Sequence, residues 1–372
     1  MKLDNNQKAF FALVKAGLWE KEVRLASFKT IDFNEIYRLA EEQAVVGLVA
    51  AGIEHVVDKK VPQEVALMFV GNALQLEQRN IAMNEFIAKL FEKLYKEQLN
   101  ALLIKGQGIA QYYERPLWRA VGDVDLLIEE RQYENGKVCL AKYGYYADEE
   151  EITRKHIGYS INNWLVELHG SFRSNCWKKL DKKIDTIQEE TFKFGSYRLW
   201  DNNGKGIPMP TIDNDVIFVF THILQHFFKG GIGLRQICDL SRFLYKNKNS
   251  IDTTTLFFRL CNMELMSEWR AFGAVSVEYL GMPSDYWPFY SSKRKWERKA
   301  AKIVKIIIET GNFGHNRDMS YINKYPFVMR KMTSLWRSTK DRIRQCFIFP
   351  ADSARVWIHM FNTRTKAAIK GK

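Results

Sequence analysis

Asp123-Val124-Asp125 places two carboxylates two residues apart in a run, Val121 to Ile128, that otherwise reads as an extended strand. Side chains alternate along a strand, so Asp123 and Asp125 share one face with Cα atoms about 7 Å apart, while Val124, Leu126 and Ile128 take the other. Two neighbouring carboxylates repel unless a cation or a shared proton neutralises them. The segment Ile161 to His169 reads as a second strand, with Trp164, Val166 and Leu168 on one face and Glu167 and His169 on the other. Glu167 is thus a candidate third carboxylate. Three oxygen donors with no cysteine nearby suit Mg²⁺ or Mn²⁺ rather than zinc, and such ions complete their shells with water and substrate phosphates. That chemistry is phosphoryl or nucleotidyl transfer, in which two ions about 4 Å apart hold the attacking and leaving oxygens.

Lys105-Gly106-Gln107-Gly108 supplies a complementary half. Glycines between a strand and a helix let backbone N–H groups approach an anion closely, and a triphosphate suits such a turn. Lys105 and Arg119 read either as cations that neutralise transition-state charge or as ordinary surface pairs. His222 and His226 are four apart on a predicted helix, without the glutamate that a metalloprotease motif would place after His222, and are expected to line the cleft. Arg235 and Asp239 have the spacing of a helix-surface ion pair, with Arg235 reaching the nucleotide as the alternative.

The run Leu103-Ile104-Lys105-Gly106, then Tyr112-Tyr113, Pro116, Arg119 and Gly122-Asp123-Val124-Asp125-Leu126-Leu127-Ile128, resembles the DNA polymerase β-like nucleotidyltransferase superfamily. More narrowly it is similar to the bacterial uncharacterised nucleotidyltransferase family, with Glu167-Leu168-His169 as the later acidic strand. The similarity continues through Thr221-His222, His226 and Leu234 to Leu240. The resemblance implies an α+β fold: a small mixed sheet of the polymerase β-like type, N-terminal helices and a C-terminal helical domain. It implies Asp123, Asp125 and Glu167 as ligands of two catalytic ions, Mg²⁺ or Mn²⁺. It also implies a nucleoside triphosphate, ATP among the candidates, held by its β and γ phosphates at Gly106 to Gly108. An acceptor hydroxyl on RNA, a protein, a sugar or a small molecule would attack the α-phosphorus and release pyrophosphate. Gln107 stands where the superfamily normally carries serine or glycine, and its amide can still donate to a phosphate oxygen. Its presence motivates the other function class, a degenerate module that binds nucleotide or RNA without turnover.

The elements that must position these residues alternate in the middle of the chain and are helical at both ends. Ile87, Leu90, Phe91 and Leu94 form one stripe of an amphipathic helix that closes at Asn100, and Ala101 to Ile104 follows as a strand. A short helix is expected over Ile109 to Tyr113 and another over Tyr133 to Lys142. Beyond Asn202 to Pro210, read as a linker, a helix capped by Thr211 or Asp213 is expected to run to Gly230-Gly231 with Val216, Phe220, Ile223 and Phe227 on one face, and further helices over Leu234 to Tyr245, Thr254 to Leu280 and Lys293 to Thr310. The expected division is 1–100 N-terminal helical region, 101–201 catalytic core, 202–323 helical domain and 324–372 basic segment.

The composition is that of a globular protein: 46% of the 372 residues are hydrophobic. Five scattered cysteines without a C-x-x-C pair read as reduced thiols, and apolar runs are too short to span a bilayer. With Asp4, Lys8 and Lys15 interrupting any leader-like run, a cytoplasmic location is expected. From Lys324 onward twelve lysines and arginines face two aspartates, so +10 of the net +13 lies in the last 49 residues. A polyanion or an anionic membrane surface is the expected partner of that segment, unless it is simply solvated. Its interleaved Trp336, Phe347 and Trp357 read as stacking or interfacial residues, or, as aromatics at helical spacing usually are, as core.

Overall fold

A computed structural model describes residues 3–193, 195–314, 316 and 326–369. Its helices are α1 (Asn5–Trp19), α2 (Phe33–Glu42), α3 (Val46–Glu54), α4 (Gln63–Lys96), α5 (Gly106–Ala110), α6 (Tyr133–Ala141), α7 (Lys178–Lys193), α8 (Ile212–Lys229), α9 (Leu234–Lys246), α10 (Thr253–Asn262), α11 (Met266–Leu280) and α12 (Arg294–Thr310), followed by two more, Phe327–Cys346 and Pro350–Ile369. Seven strands, β1 (Ala101–Ile104), β2 (Val124–Ile128), β3 (Tyr145–Tyr146), β4 (His156–Ile161), β5 (Trp164–His169), β6 (Tyr197–Asn202) and β7 (Lys205–Pro210), form a five-stranded sheet in the order β1-β2-β5-β4-β3 and a separate hairpin β6-β7. The fold is therefore a small mixed sheet between N-terminal and C-terminal helices. Strand β2 runs parallel to β5, and the other pairings within the five-stranded sheet are antiparallel.

The sheet separates two apolar clusters, as the alternation of its strands requires. On one side Leu103, Val124, Leu126, Ile128, Val166 and Leu168 pack with Phe86, Ile87 and Leu90 of α4. On the other, Leu102, Ile104 and Leu127 join the larger core built from α1, α8, α9, α11 and α12. That second face also carries the acidic residues. A helix layer with an apolar underside thus stands over the charged positions.

Three expectations change. The segment 202–210 is not a linker: its second half is β7, paired along its length with β6 through the turn at Asn203-Gly204. The single helix expected over Thr254 to Leu280 is two, broken where Glu264 takes a left-handed conformation, φ 62°. Thr211 precedes α8 but its side chain does not cap, and Asp213 instead accepts 2.9 Å from the backbone N–H of Asp252. The boundary at 323/324 falls outside the described residues, as does Lys324.

Helices α1 and α3 touch backbone to backbone because Gly52 presses on Leu13 O, where a Cβ would overlap the carbonyl. Gly71, on the exposed surface of α4, meets nothing. Gly52→Val should therefore lower stability by about 1–3 kcal/mol or more, whereas Gly71→Ala should raise it by about 0.5–1 kcal/mol. Chemical denaturation of the two variants checks both signs.

Candidate active site

Strand pairing assembles the charged face. The parallel register of β2 and β5 sets Asp125 beside Glu167 and Leu127 beside His169. The antiparallel register of β4 and β5 sets His156 opposite His169. Asp123 lies just before β2, and ligand atoms of Asp123, Asp125 and Glu167 come within 4.8 Å of one another. His156, Glu167 and His169 form a second such group.

At the end of β1 the chain turns sharply. Lys105 has φ 58°, ψ −147°, and Gly106 φ 44°. A non-glycine residue in that region is strained, and such strain is held only where the surroundings over-determine it. Here the turn brings Lys105 Nζ to 2.7 Å from Asp125 Oδ1, the same oxygen that His169 Nε2 meets at 2.8 Å. His169 Nε2 is also 3.4 Å from Glu167 Oε2, and His156 Nε2 is 3.1 Å from it.

The electrostatics follow from crowding. Burial, then the charges of Asp125 and Glu167, push the Asp123 carboxyl up to about 6. Burial works the same way on Glu167, but hydrogen bonds from His156 and His169 outweigh it and hold that carboxyl well below the usual range. Three carboxylates, one of them pushed toward protonation, form a donor set that accommodates a divalent cation. The residues present fit such an ion.

Helices α8 and α9 supply the opposite wall of a cavity of about 320 Å³. His222 and His226 do line it, with their Nε2 atoms 3.0 Å apart. Burial keeps both imidazoles neutral, His226 down to about 3 and His222 well below its ordinary value. Arg119 faces the same cavity but is already committed, its Nε and Nη2 each 2.7 Å from the two oxygens of Asp239, which also accepts from the Tyr113 hydroxyl at 2.7 Å. Arg235 is buried, not on the helix surface, and its Nη1 donates to Ala120 O at 3.2 Å. The surface ion pair expected of Arg235 and Asp239 is replaced by a buried bidentate pair of Arg119 with Asp239, a carboxylate–guanidinium geometry that sequence spacing cannot reveal.

Two expected residues lie off the cavity. The Gln107 amide donates 2.7 Å to Asn84 Oδ1 of α4, so it is turned away from the charged face. Gly108 packs against Met209 of β7, where a Cβ would overlap the methionine methyl. Conversely, Arg154, His156, Gln225 and Gln236 line the cavity and were not anticipated. A signal for His156 existed. Asn162-Asn163, with φ of 50° and 65°, is a tight hairpin turn, and folding Ile161 back on Trp164 registers His156 against His169.

The model of a family described as uncharacterised nucleotidyltransferases matches residues 29–280. The chain belongs to this family. No curated protein and no solved structure matches it. The family model spans α2 through α11 and so includes both walls of the cavity, the acidic strands and the helices α8 and α9. Among the described residues no helix is long and apolar enough to cross a membrane.

Asp239→Ala should cost about 3–5 kcal/mol because it strands the buried Arg119 charge, and adding Arg119→Met should recover much of the loss. Asp123→Asn should stabilise the metal-free protein above about pH 6. The charged carboxylate is disfavoured in the folded state, so the gain is full above the folded value and disappears as pH falls toward about 4, near the unfolded carboxylate value. Thermal melts across that window check the sign.

Proposed function

We propose that the cavity is the active site of a metal-dependent nucleotidyltransferase that moves a nucleoside monophosphate from a triphosphate to an acceptor hydroxyl. The observation that carries this reading is the convergence of Asp123, Asp125 and Glu167 in one helix-covered cavity of a chain in a nucleotidyltransferase family. Those three residues are the catalytic and ion-holding set. Two bound Mg²⁺ or Mn²⁺ ions would polarise the α-phosphate and acidify the acceptor hydroxyl.

The chain's own residues do the rest. Lys105 is poised to exchange its contact with Asp125 for one with a phosphate oxygen, a move that frees a carboxylate oxygen as it adds a fixed cation to the substrate. Gly106 opens the turn that lets the phosphates approach the backbone. Arg235 adds positive potential from the helical wall, and Arg119, paired with Asp239, holds that wall to the acidic side, so that segment 101–201 holds the acidic face and helices α8 and α9 close on it. His169 and His156 fix the orientation of Glu167 and keep it ionised. The neutral His222–His226 pair lines the cavity without adding charge that would compete for the phosphates. Gln107 serves this site indirectly, by anchoring the turn to α4.

A second reading, a nucleotide-binding module without turnover, draws on the occupancy of Asp125 Oδ1 by both Lys105 and His169. Calorimetry with ATP and GTP in Mg²⁺ or Mn²⁺, beside a pyrophosphate-release assay, separates the two. The transferase reading expects binding with release, and expects Asp123→Asn with Asp125→Asn to remove release by at least about a thousandfold while circular dichroism is unchanged. Binding without any release would select the module, and full release by the double variant would overturn the site.

A further inference from the structure

The helix Phe327–Cys346 is anchored inward by polar contacts among its described side chains: Gln345 Nε2 donates 2.6 Å to Phe227 O, and the buried Arg342 donates 2.9 Å to Gln345 Oε1. Its outer face carries Met329, Met332, Trp336, Ile343 and Phe347, all exposed, with Trp336 and Phe347 each 71% accessible. At 100° per residue these five fall within an arc of about 60° and extend about 27 Å along the axis. The next helix, Pro350–Ile369, adds exposed Trp357, Ile358 and Phe361, the two aromatic rings stacked 5.8 Å apart. The expectation that Trp336, Phe347 and Trp357 belong to the core is therefore overturned. A helix that hydrogen-bonds inward and turns a long apolar stripe to water has a face that awaits a partner.

Charge selects the partner. Arg330, Arg337 and Arg344 recur every seven residues on one side of the stripe, Arg344 also pairing with Glu309 at 3.1 Å, and Lys340 lies between them and the stripe. A second copy of the chain would bring two segments of +10 face to face, which opposes pairing. Single-stranded RNA would use the tryptophans and phenylalanines as stacking platforms, but Met329, Met332, Ile343 and Ile358 have no ring for a base to stack on. An anionic lipid surface uses every component. Aliphatic and aromatic side chains enter the acyl boundary, and arginines and lysines meet the headgroups. We propose that these two helices form an in-plane docking surface for an anionic membrane, independent of the nucleotide chemistry.

The test uses the full-length chain with vesicles of phosphatidylcholine alone and of phosphatidylcholine mixed with phosphatidylglycerol. Sedimentation should show binding to the anionic vesicles, weaker at high salt, and none to the neutral ones. Brominated lipids should quench part of the tryptophan fluorescence of the unmodified protein. Trp336→Ser with Phe347→Ser and Trp357→Ser should weaken binding at least about a hundredfold, with the circular dichroism spectrum unchanged because all three side chains face solvent. Binding of RNA through these residues without vesicle binding, self-association through them without vesicle binding, or vesicle binding unaltered in the triple variant would each overturn the proposal.

Discussion

The parallel pairing of β2 with β5 is the constraint on which the site depends. It aligns Asp125 with Glu167 on neighbouring strands, so two carboxylates separated by forty-two positions in the chain share one face, with Asp123 beside them. Such an arrangement is electrostatically unfavourable by itself and explains why so many groups around it are positive or hydrogen-bond donors. Lys105, His156 and His169 each approach a carboxylate oxygen, and a one-residue slip of β2 or β5 would turn Asp125, or Glu167 and His169, into the opposite apolar layer.

The helical wall answers the same constraint. Helices α8 and α9 bury an apolar side in the main core and turn His222, His226 and Arg235 toward the carboxylates. Low dielectric strengthens every charge interaction inside the cavity, and it also demands that each buried charge have a partner. The bidentate Arg119–Asp239 pair meets that demand between the segment ahead of β2 and α9, and thereby links the wall to the sheet.

The basic C-terminal segment obeys different physics. Its two helices attach through buried Gln345, Arg342 and Val356 while Trp336, Phe347 and Trp357 face out, so the charge that dominates the composition lies apart from the acidic cavity. Repulsion among carboxylates shapes one region, and unpartnered apolar area with excess positive charge shapes the other.

Alternation alone, read from the sequence, assigned Val124, Leu126, Ile128, Val166 and Leu168 to one apolar layer and Asp125 and Glu167 to the other face, because strand geometry has a period of two regardless of context. The strand Ala101–Ile104 was legible for the same local reason, whereas the short helix begins at Gly106, inside the expected glycine turn, and ends at Ala110 instead of covering Ile109 to Tyr113. What each side chain touches was not legible. Gln107 turning to Asn84, Arg119 choosing Asp239, and His156 arriving opposite His169 all depend on elements far apart in the chain. The burial of Arg235 and the exposure of Trp336 likewise follow from which face each helix presents once packed, a choice that periodicity offers but only the assembled core decides.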